Sequence, residues 1–253
     1  MAESAPKPLV WDDARLADPH GQSDKAARVE AMFDAIAPTY ERVNRTLSLG
    51  RDAHWRRRAV ELARVAPEDR VLDLACGTGD FARAFAMANP AQVVGCDFSS
   101  GMLSLAKRRS IEGFANTIDW YRADALNLPF ADASFSIASC AFGIRNWQDL
   151  LRGFRETYRV LKPGGRFVIL EFSMPRAPFL GGLYLFYFRR VLPRLATVIS
   201  RDRTGAYEYL PASVSSFVDA AGIARQLTDA GFARVEHHRL TFGVVTVHLA
   251  WKS

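Results

Sequence analysis

Cysteine is scarce: three residues in 253, too few for a disulfide framework. Cys76, Cys96 and Cys140 also lack the paired spacing of a zinc site, so nothing in the chain spells a metal centre. The N-terminus has no apolar core segment of the secretory kind. No internal repeat is visible, which excludes solenoid and propeller architectures. No apolar run is both long and free of charge. The most apolar one, residues 179–199, is interrupted by Arg189, Arg190 and Arg194 and is too charged at its centre to span a bilayer. The densest basic run, Arg56-Arg57-Arg58, lacks the interleaved aromatics of a single-strand nucleic-acid binder, so nucleic acid is not expected as a partner. These absences leave a protein with reduced thiols and a cytoplasmic location.

With 49% hydrophobic and 24% charged residues, the chain has enough apolar material for one sizeable domain. A net charge of +6 suits solubility and would also suit an anionic membrane surface. Residues 1–23 are polar, carry Pro6, Pro8, Pro19 and Gly21, and read as a flexible tail. A single domain over 24–253 follows. Residues 24–65 form a helical cap, with helices over 25–36, around 40–49 and over 54–64. From 66 to 175, strands at 70–75, 92–97, 118–122, 135–140 and 166–172 alternate with helices at 80–88, 100–112 and 147–161. Such alternation implies an α/β fold: a mostly parallel, Rossmann-like sheet with helices on both faces. Residues 176–215 are an apolar insertion whose 179–199 stretch reads as a core helix with a basic edge, or as a helix facing a substrate cavity or a membrane surface. Residues 216–253 hold a helix at 216–230 and a closing hairpin that supplies an antiparallel C-terminal strand.

The stretch with most chemistry is Val71-Leu72-Asp73-Leu74-Ala75-Cys76-Gly77-Thr78-Gly79-Asp80, a buried strand entering a glycine turn. Gly77 and Gly79 permit a tight turn and close approach of backbone to ligand. A nucleotide-containing ligand is the natural occupant. Gly77-x-Gly79-x-x-Ala82 satisfies the loose dinucleotide fingerprint. Asp73 and Asp80, however, flank the turn and would repel a pyrophosphate, whereas they suit the ammonium and sulfonium of S-adenosylmethionine. Asp97, ending the next strand 18 residues after Gly79, can take both ribose hydroxyls in either case.

Three further stretches decide between these ligands. They are Arg122-Ala123-Asp124-Ala125 after the third strand, Phe142-Gly143-Ile144-Arg145-Asn146 after the fourth, and Arg159-Val160-Leu161-Lys162-Pro163-Gly164-Gly165 before the fifth. Together they resemble a class I S-adenosylmethionine-dependent methyltransferase. The run from Arg159 to Ser173 and the loop Ala141 to Asn146 are similar to the ubiquinone/menaquinone biosynthesis C-methyltransferases, and so is Gly243-Val244-Val245. The likeness covers about residues 24–252. In the first family signature Tyr40, Asn44, Leu47, Ser48 and Trp55 are kept, while Glu41, Val43 and Asp52 replace Asp, Met and His. Those departures lie in the substrate-covering region.

The resemblance implies S-adenosylmethionine as cofactor and methyl transfer to a ring carbon of a prenylated quinol. Asp73 would orient the cofactor's ammonium, and Gly77, Thr78 and Gly79 would pass its methionine part. Asp97 would hold the ribose, Asp124 and Ala125 the adenine, with Met102 an apolar wall and Ala141 near the cofactor. Arg145, Asn146 and Tyr40 are the expected substrate-side residues: Arg145 to stabilise a developing phenolate, Asn146 to bond a ring oxygen, Tyr40 to orient a hydroxyl. Arg145 and Asn146 could equally form a structural ion pair and turn cap. His54 is a further candidate base. The three thiols are expected near the cofactor edge. Peripheral membrane contact and a homodimer are compatible with the pattern. Two other readings stay open: a methyltransferase of another phenolic or lipid substrate, and a non-catalytic scaffold that binds S-adenosylmethionine in a quinone-biosynthesis complex.

Overall fold

The computed structural model describes residues 9–40, 43, 46, 48, 50–111, 118–175, 182, 186–200, 202 and 204–253. The expected helix around 40–49 and the first part of the 179–199 segment fall mostly outside them.

Seven strands form one sheet: β1 (Arg70–Leu74), β2 (Gln92–Asp97), β3 (Ile118–Arg122), β4 (Phe135–Ala141), β5 (Leu161–Phe172), β6 (Arg234–Leu240) and β7 (Val245–Trp251), in the order β3-β2-β1-β4-β5-β7-β6. β1 through β5 pair in parallel, and β7 runs antiparallel to both β5 and β6. Val71, Leu72 and Leu74 are fully buried, as a central strand with both faces covered requires. The closing hairpin inserts its second strand between β5 and β6. The first six residues of β7 are buried and take the interior position, while the polar, partly exposed β6 takes the edge.

Helices cover both faces. α1 (Asp13–Leu16), α2 (Lys25–Ile36) and α3 (Arg51–Ala63) precede the sheet. α4 (Asp80–Ala86), α5 (Ser100–Ile111) and α6 (Leu150–Val160) link its strands. α7 (Leu192–Ser200), α8 (Ala206–Ser216) and α9 (Ala220–Asp229) follow β5. Ala59, Ala63, Phe81 and Phe85 of α3 and α4 pack against Val71 and Val93, while Phe154 and Leu227 of α6 and α9 pack against Leu72 and Leu74 on the other face.

Two expectations shift. The 216–230 helix begins later, at Ala220, where Asp219 accepts from the Gly222 amide and caps α9; Ser216 instead ends α8, and residues 217–219 between the two are not helical. Pro211 inside α8 disguises that helix in the sequence. The tail is not loose where it is described, because Trp11 is buried and its ring lies 4.3 Å from that of Tyr209.

The chain runs from β1 to β2 and β3 on one side, then returns to β4 and β5 on the other. The strand order therefore reverses between β1 and β4, and a crevice opens beyond their C-terminal ends. α2, α7 and α8 close over that crevice through a separate apolar cluster that includes Met32, Ile36, Ala196, Tyr207 and Tyr209. Among the described residues no helix is long and apolar enough to cross a membrane.

Candidate active site

The crevice holds two cavities. The first, of about 860 Å³ including its open mouth, lies over the ends of β1, β2 and β4. Gly77, Asp97, Met102, Asp124, Ala125, Ala141, Asn146 and Tyr40 line it, with Val29, Glu30 and Phe33 of α2 as its cover. Gly77 sits at φ 56° with open space where a Cβ would project, so backbone forms that part of the floor. Its amide donates to Asp97 Oδ2 at 2.7 Å, and the Ser99 amide donates to Oδ1 at 2.8 Å. Each carboxylate oxygen accepts more than one hydrogen bond, so Asp97 keeps capacity for a ligand. Burial pushes its carboxyl up to about 6 despite those two amides.

Gly79 and Thr78 do not line the cavity, contrary to expectation. A Cβ on Gly79 would lie 2.4 Å from the Trp120 indole, so Gly79 is there for helix–sheet packing at φ 85°. Thr78 is buried and its carbonyl accepts from Arg83 at 2.8 Å. Asp80 is also not available to a cationic ligand. Its carboxylate is 2.7 Å from Arg83, 2.8 Å from Arg109 and 3.8 Å from Arg56. Burial alone would raise its carboxyl, but Arg56, Arg109 and Arg83 together hold it down at about 2.

Asp73 lies beneath the turn, fully buried. One oxygen accepts from Ser139 Oγ at 2.7 Å and the other has no partner among the described residues. Desolvation pushes the carboxyl up to about 7, against the pull of Ser139 and Arg56. Like Thr78 and Gly79, Asp73 does not itself line the cavity, whose walls carry three other carboxylates, Glu30, Asp97 and Asp124. An orphaned buried acid oxygen beneath so acidic a lining fits a ligand that carries positive charge.

The second cavity, about 920 Å³, is mostly apolar and aromatic. Met32, Trp55, Phe172, Phe188, Leu192 and Tyr209 are among its walls. It adjoins the first, and Phe33, Tyr40 and Phe142 line both. Arg145 opens onto this second cavity, while Asn146 faces the first. The structural pairing weighed for Arg145 is present as well: its guanidinium is 2.8 Å from Glu171, donates to the Phe142 carbonyl and lies over the Phe172 ring. Glu171 is 1% exposed, and burial raises its carboxyl while Arg145 opposes the rise. Asn146 Oδ1 accepts from the Tyr209 hydroxyl at 3.1 Å.

Sequence reasoning missed Glu171, Tyr209, Phe33 and Arg56. Glu171 lies in the run from Arg159 to Ser173, and an acid near the end of a buried strand is itself a signal of a cationic partner. His54 is corrected: it sits on the exposed side of α3 against Arg57 and lines neither cavity. Its neighbours Asp52 and Arg56 face inward instead, paired at 2.6 Å. All three thiols are buried, and desolvation with nearby carboxylates pushes them well above the ordinary cysteine range.

The profile of the ubiE/COQ5 methyltransferase family matches residues 21–252. The ubiquinone/menaquinone biosynthesis C-methyltransferase of Geotalea daltonii is 44% identical over 91% of this chain and 98% of that protein. The demethylmenaquinone methyltransferase of Thermus thermophilus is 46% identical over 86% of this chain and 98% of that protein. Among solved structures, a SAM-dependent methyltransferase of Thermotoga maritima superposes with a TM-score of 0.60 at 21% identity, covering 88% of this chain and 99% of that one, which agrees in fold. The chain thus belongs to the ubiE/COQ5 methyltransferase family and is an S-adenosylmethionine-dependent methyltransferase.

Proposed function

We propose that this enzyme methylates a ring carbon of a prenylated quinol, demethylmenaquinol or 2-polyprenyl-6-methoxy-1,4-benzoquinol. The observation that carries the reading is the junction of an acid-lined cavity with an aromatic one at Phe33, Tyr40 and Phe142. The names of the Geotalea and Thermus relatives support this substrate class.

What bound S-adenosylmethionine supplies is an electrophilic methyl on a sulfonium, so the chain's task is placement and charge control. Asp97 accepts ribose hydroxyls, Asp124 and Ala125 border the adenine, and the free oxygen of Asp73 receives the ammonium directly or through water. Across the junction, the aromatic walls hold the ring flat, and Tyr40 orients a hydroxyl. Arg145, fixed by Glu171, stabilises the phenolate that forms as a ring hydroxyl loses its proton, and that electron-rich ring then takes the methyl at carbon while the sulfur leaves with the bonding pair. A guanidinium stays protonated and is no base, so the departing proton passes to water or another group. Phe186 and Leu195 are exposed on the segment whose Tyr187, Phe188 and Leu192 line the aromatic cavity, with exposed Arg190 and Arg194 alongside. This supports entry of the prenyl tail from a lipid surface that the enzyme touches peripherally.

The test uses labelled S-adenosylmethionine and reduced lipid extracts from cells lacking their own quinone-ring C-methyltransferase, one type making ubiquinone and one menaquinone. Label in one quinone confirms the reaction and names the ring. Label in both shows a dual-substrate enzyme. No label in either, with cofactor binding intact, overturns the quinol assignment in favour of another phenolic or lipid substrate, or a scaffold. Arg145→Ala is expected to abolish turnover and leave cofactor binding nearly intact. Because it strands the Glu171 carboxylate, the double variant with Glu171→Gln is the cleaner measurement. Loss of cofactor affinity in the double variant would place Arg145 on the other side of the junction.

A further inference from the structure

The aromatic cavity has a second polar corner, built on a different element from Arg145. Ser48, Asp52 and Arg56 line it at the start of α3. Among the described residues that line this cavity, Asp52 is the one carboxylate. Its side chain is 19% exposed. Oδ1 accepts from Ser48 Oγ at 2.8 Å and Oδ2 from Arg56 Nη1 at 2.6 Å. A carboxylate has about four lone-pair sites, so two donors leave it able to accept again. Arg56 is fixed in turn, 3.8 Å from Asp80 and 6.0 Å from the centre of the Phe142 ring. The acid is therefore held in place on the wall of an apolar chamber.

What can such a group recognise? A carboxylate only accepts hydrogen bonds. It favours a ring that offers an O–H and opposes a ring that offers a carbonyl oxygen. Guanidinium groups at Arg56 and Arg145 donate to either kind of oxygen and cannot make this distinction. A quinol presents hydroxyls and a quinone presents carbonyls, and only the electron-rich quinol can take a methyl cation equivalent at carbon. A quinone in the chamber would be a dead-end occupant. Resting on the quinol reading above, we propose that Asp52 selects the reduced ring over the oxidised one by accepting a hydrogen bond from a ring hydroxyl. A site that hydrogen-bonds one functional group discriminates strongly against an analogue lacking it, because the buried polar group is left unpaired.

The probes are short-tail prenylated 1,4-naphthoquinone and 2-methoxy-1,4-benzoquinone, each in oxidised and reduced form. Binding is read by equilibrium dialysis with S-adenosylhomocysteine present to prevent turnover, and methylation of the reduced form is assayed separately. For whichever quinol the unaltered enzyme methylates, its affinity is expected to exceed that for the matching quinone by at least roughly tenfold, the scale of one hydrogen bond to a charged group. Asp52→Asn places an amide donor where the carboxylate stood. It is expected to bind the quinone more tightly than the unaltered enzyme, to collapse the preference, and to lower kcat/KM for the quinol about tenfold or more. Asp52→Glu should restore the preference in part. If the amide variant does not fold, Asp52→Ser reads the same ratio. Equal affinity for both forms in the unaltered enzyme overturns the proposal, and so does an Asp52→Asn variant that weakens both forms alike. Failure of the unaltered enzyme to methylate either quinol overturns the substrate reading instead, so the two failures are told apart.

Discussion

At the residue scale, two glycines separated by one residue carry unrelated duties. Gly77 is at φ 56° over open space and Gly79 at φ 85° against the Trp120 indole. Gly77→Ala should cost about 1 kcal/mol of stability from left-handed backbone strain while pushing a methyl into the cofactor cavity. Its signature is a weakened cofactor Kd with a small fall in Tm. Gly79→Ala adds to the same strain a Cβ only 2.4 Å from the half-buried Trp120 ring, and overpacking adds about 1–3 kcal/mol. Its signature is a large fall in Tm. Thermal melts and cofactor titrations on both variants check the pair, and matching profiles would refute the division of labour. Asp73 gives a pH prediction. Burial lifts its carboxyl to about 7, above the ordinary aspartate value, so the folded chain holds a proton that the unfolded chain has already released between about pH 4 and pH 7. Asp73 therefore favours folding at the acid end of that window, and its contribution is lost as pH rises through 7. Cofactor binding runs the other way, because an ammonium pairs with the ionised form. Affinity for S-adenosylmethionine should rise from pH 6 to pH 8 with release of a proton, measured by calorimetry in buffers of different ionisation enthalpy. Asp73→Asn should flatten that part of the profile.

At the element scale, α2 is a cover latched at both ends. Lys25 Nζ donates to the Trp147 carbonyl at 2.6 Å and the Ala26 amide to Gln148 Oε1 at 3.0 Å. At the other end Asp34 accepts from Ser99 Oγ and the Gly101 amide, with Glu30 2.7 Å from Arg122 between them. Since Val29, Glu30 and Phe33 line the cofactor cavity, a ligand there is sealed by this helix. Amide exchange in α2 should slow about tenfold or more on cofactor binding, whereas α9, on the far face, should change only with global stability. Uniform slowing of both helices would refute the cover. The strands of this architecture were readable because burial on both faces leaves apolar runs such as Val71-Leu72 and Leu74, broken only by Asp73, and Phe167 to Leu170. The alternation of strands and helices then fixed the crevice, and Gly77, Asp97, Met102, Asp124, Ala125 and Ala141, singled out from the sequence, line one cavity of it. The pairings across the crevice were not readable. Whether Asp80 is offered to a ligand or consumed by arginines depends not only on Arg83, one turn along the same helix, but on Arg56 and Arg109, which come from other parts of the chain. The Arg56-Arg57-Arg58 run shows the same limit in small: helical rotation turns Arg56 into a cavity wall and leaves Arg57 and Arg58 exposed.

At the scale of the whole molecule, one sheet edge gathers both cavities and all three thiols. Cys76, Cys96 and Cys140 follow or end β1, β2 and β4, and each is buried with its thiol pushed far up by desolvation. Such thiols react only when the structure opens, so labelling kinetics report which opening exposes them. A ligand that binds the folded state alone stabilises it by RT ln(1 + [L]/Kd), about 2.7 kcal/mol at a hundredfold excess over Kd. For a chain of this size that corresponds to a rise in Tm on the order of 5–10 °C. If global unfolding exposes the thiols, S-adenosylmethionine at that excess slows all three by the same factor of about 100. If the route is local opening of the crevice, Cys76 is affected most, because it stands between Ala75 and Gly77, which both line the cofactor cavity. Mass spectrometry after timed alkylation, with and without cofactor, separates these routes. Equal labelling in both conditions would remove the cofactor from this edge of the sheet and, with it, the shared wall of Phe33, Tyr40 and Phe142 as the place of methyl transfer.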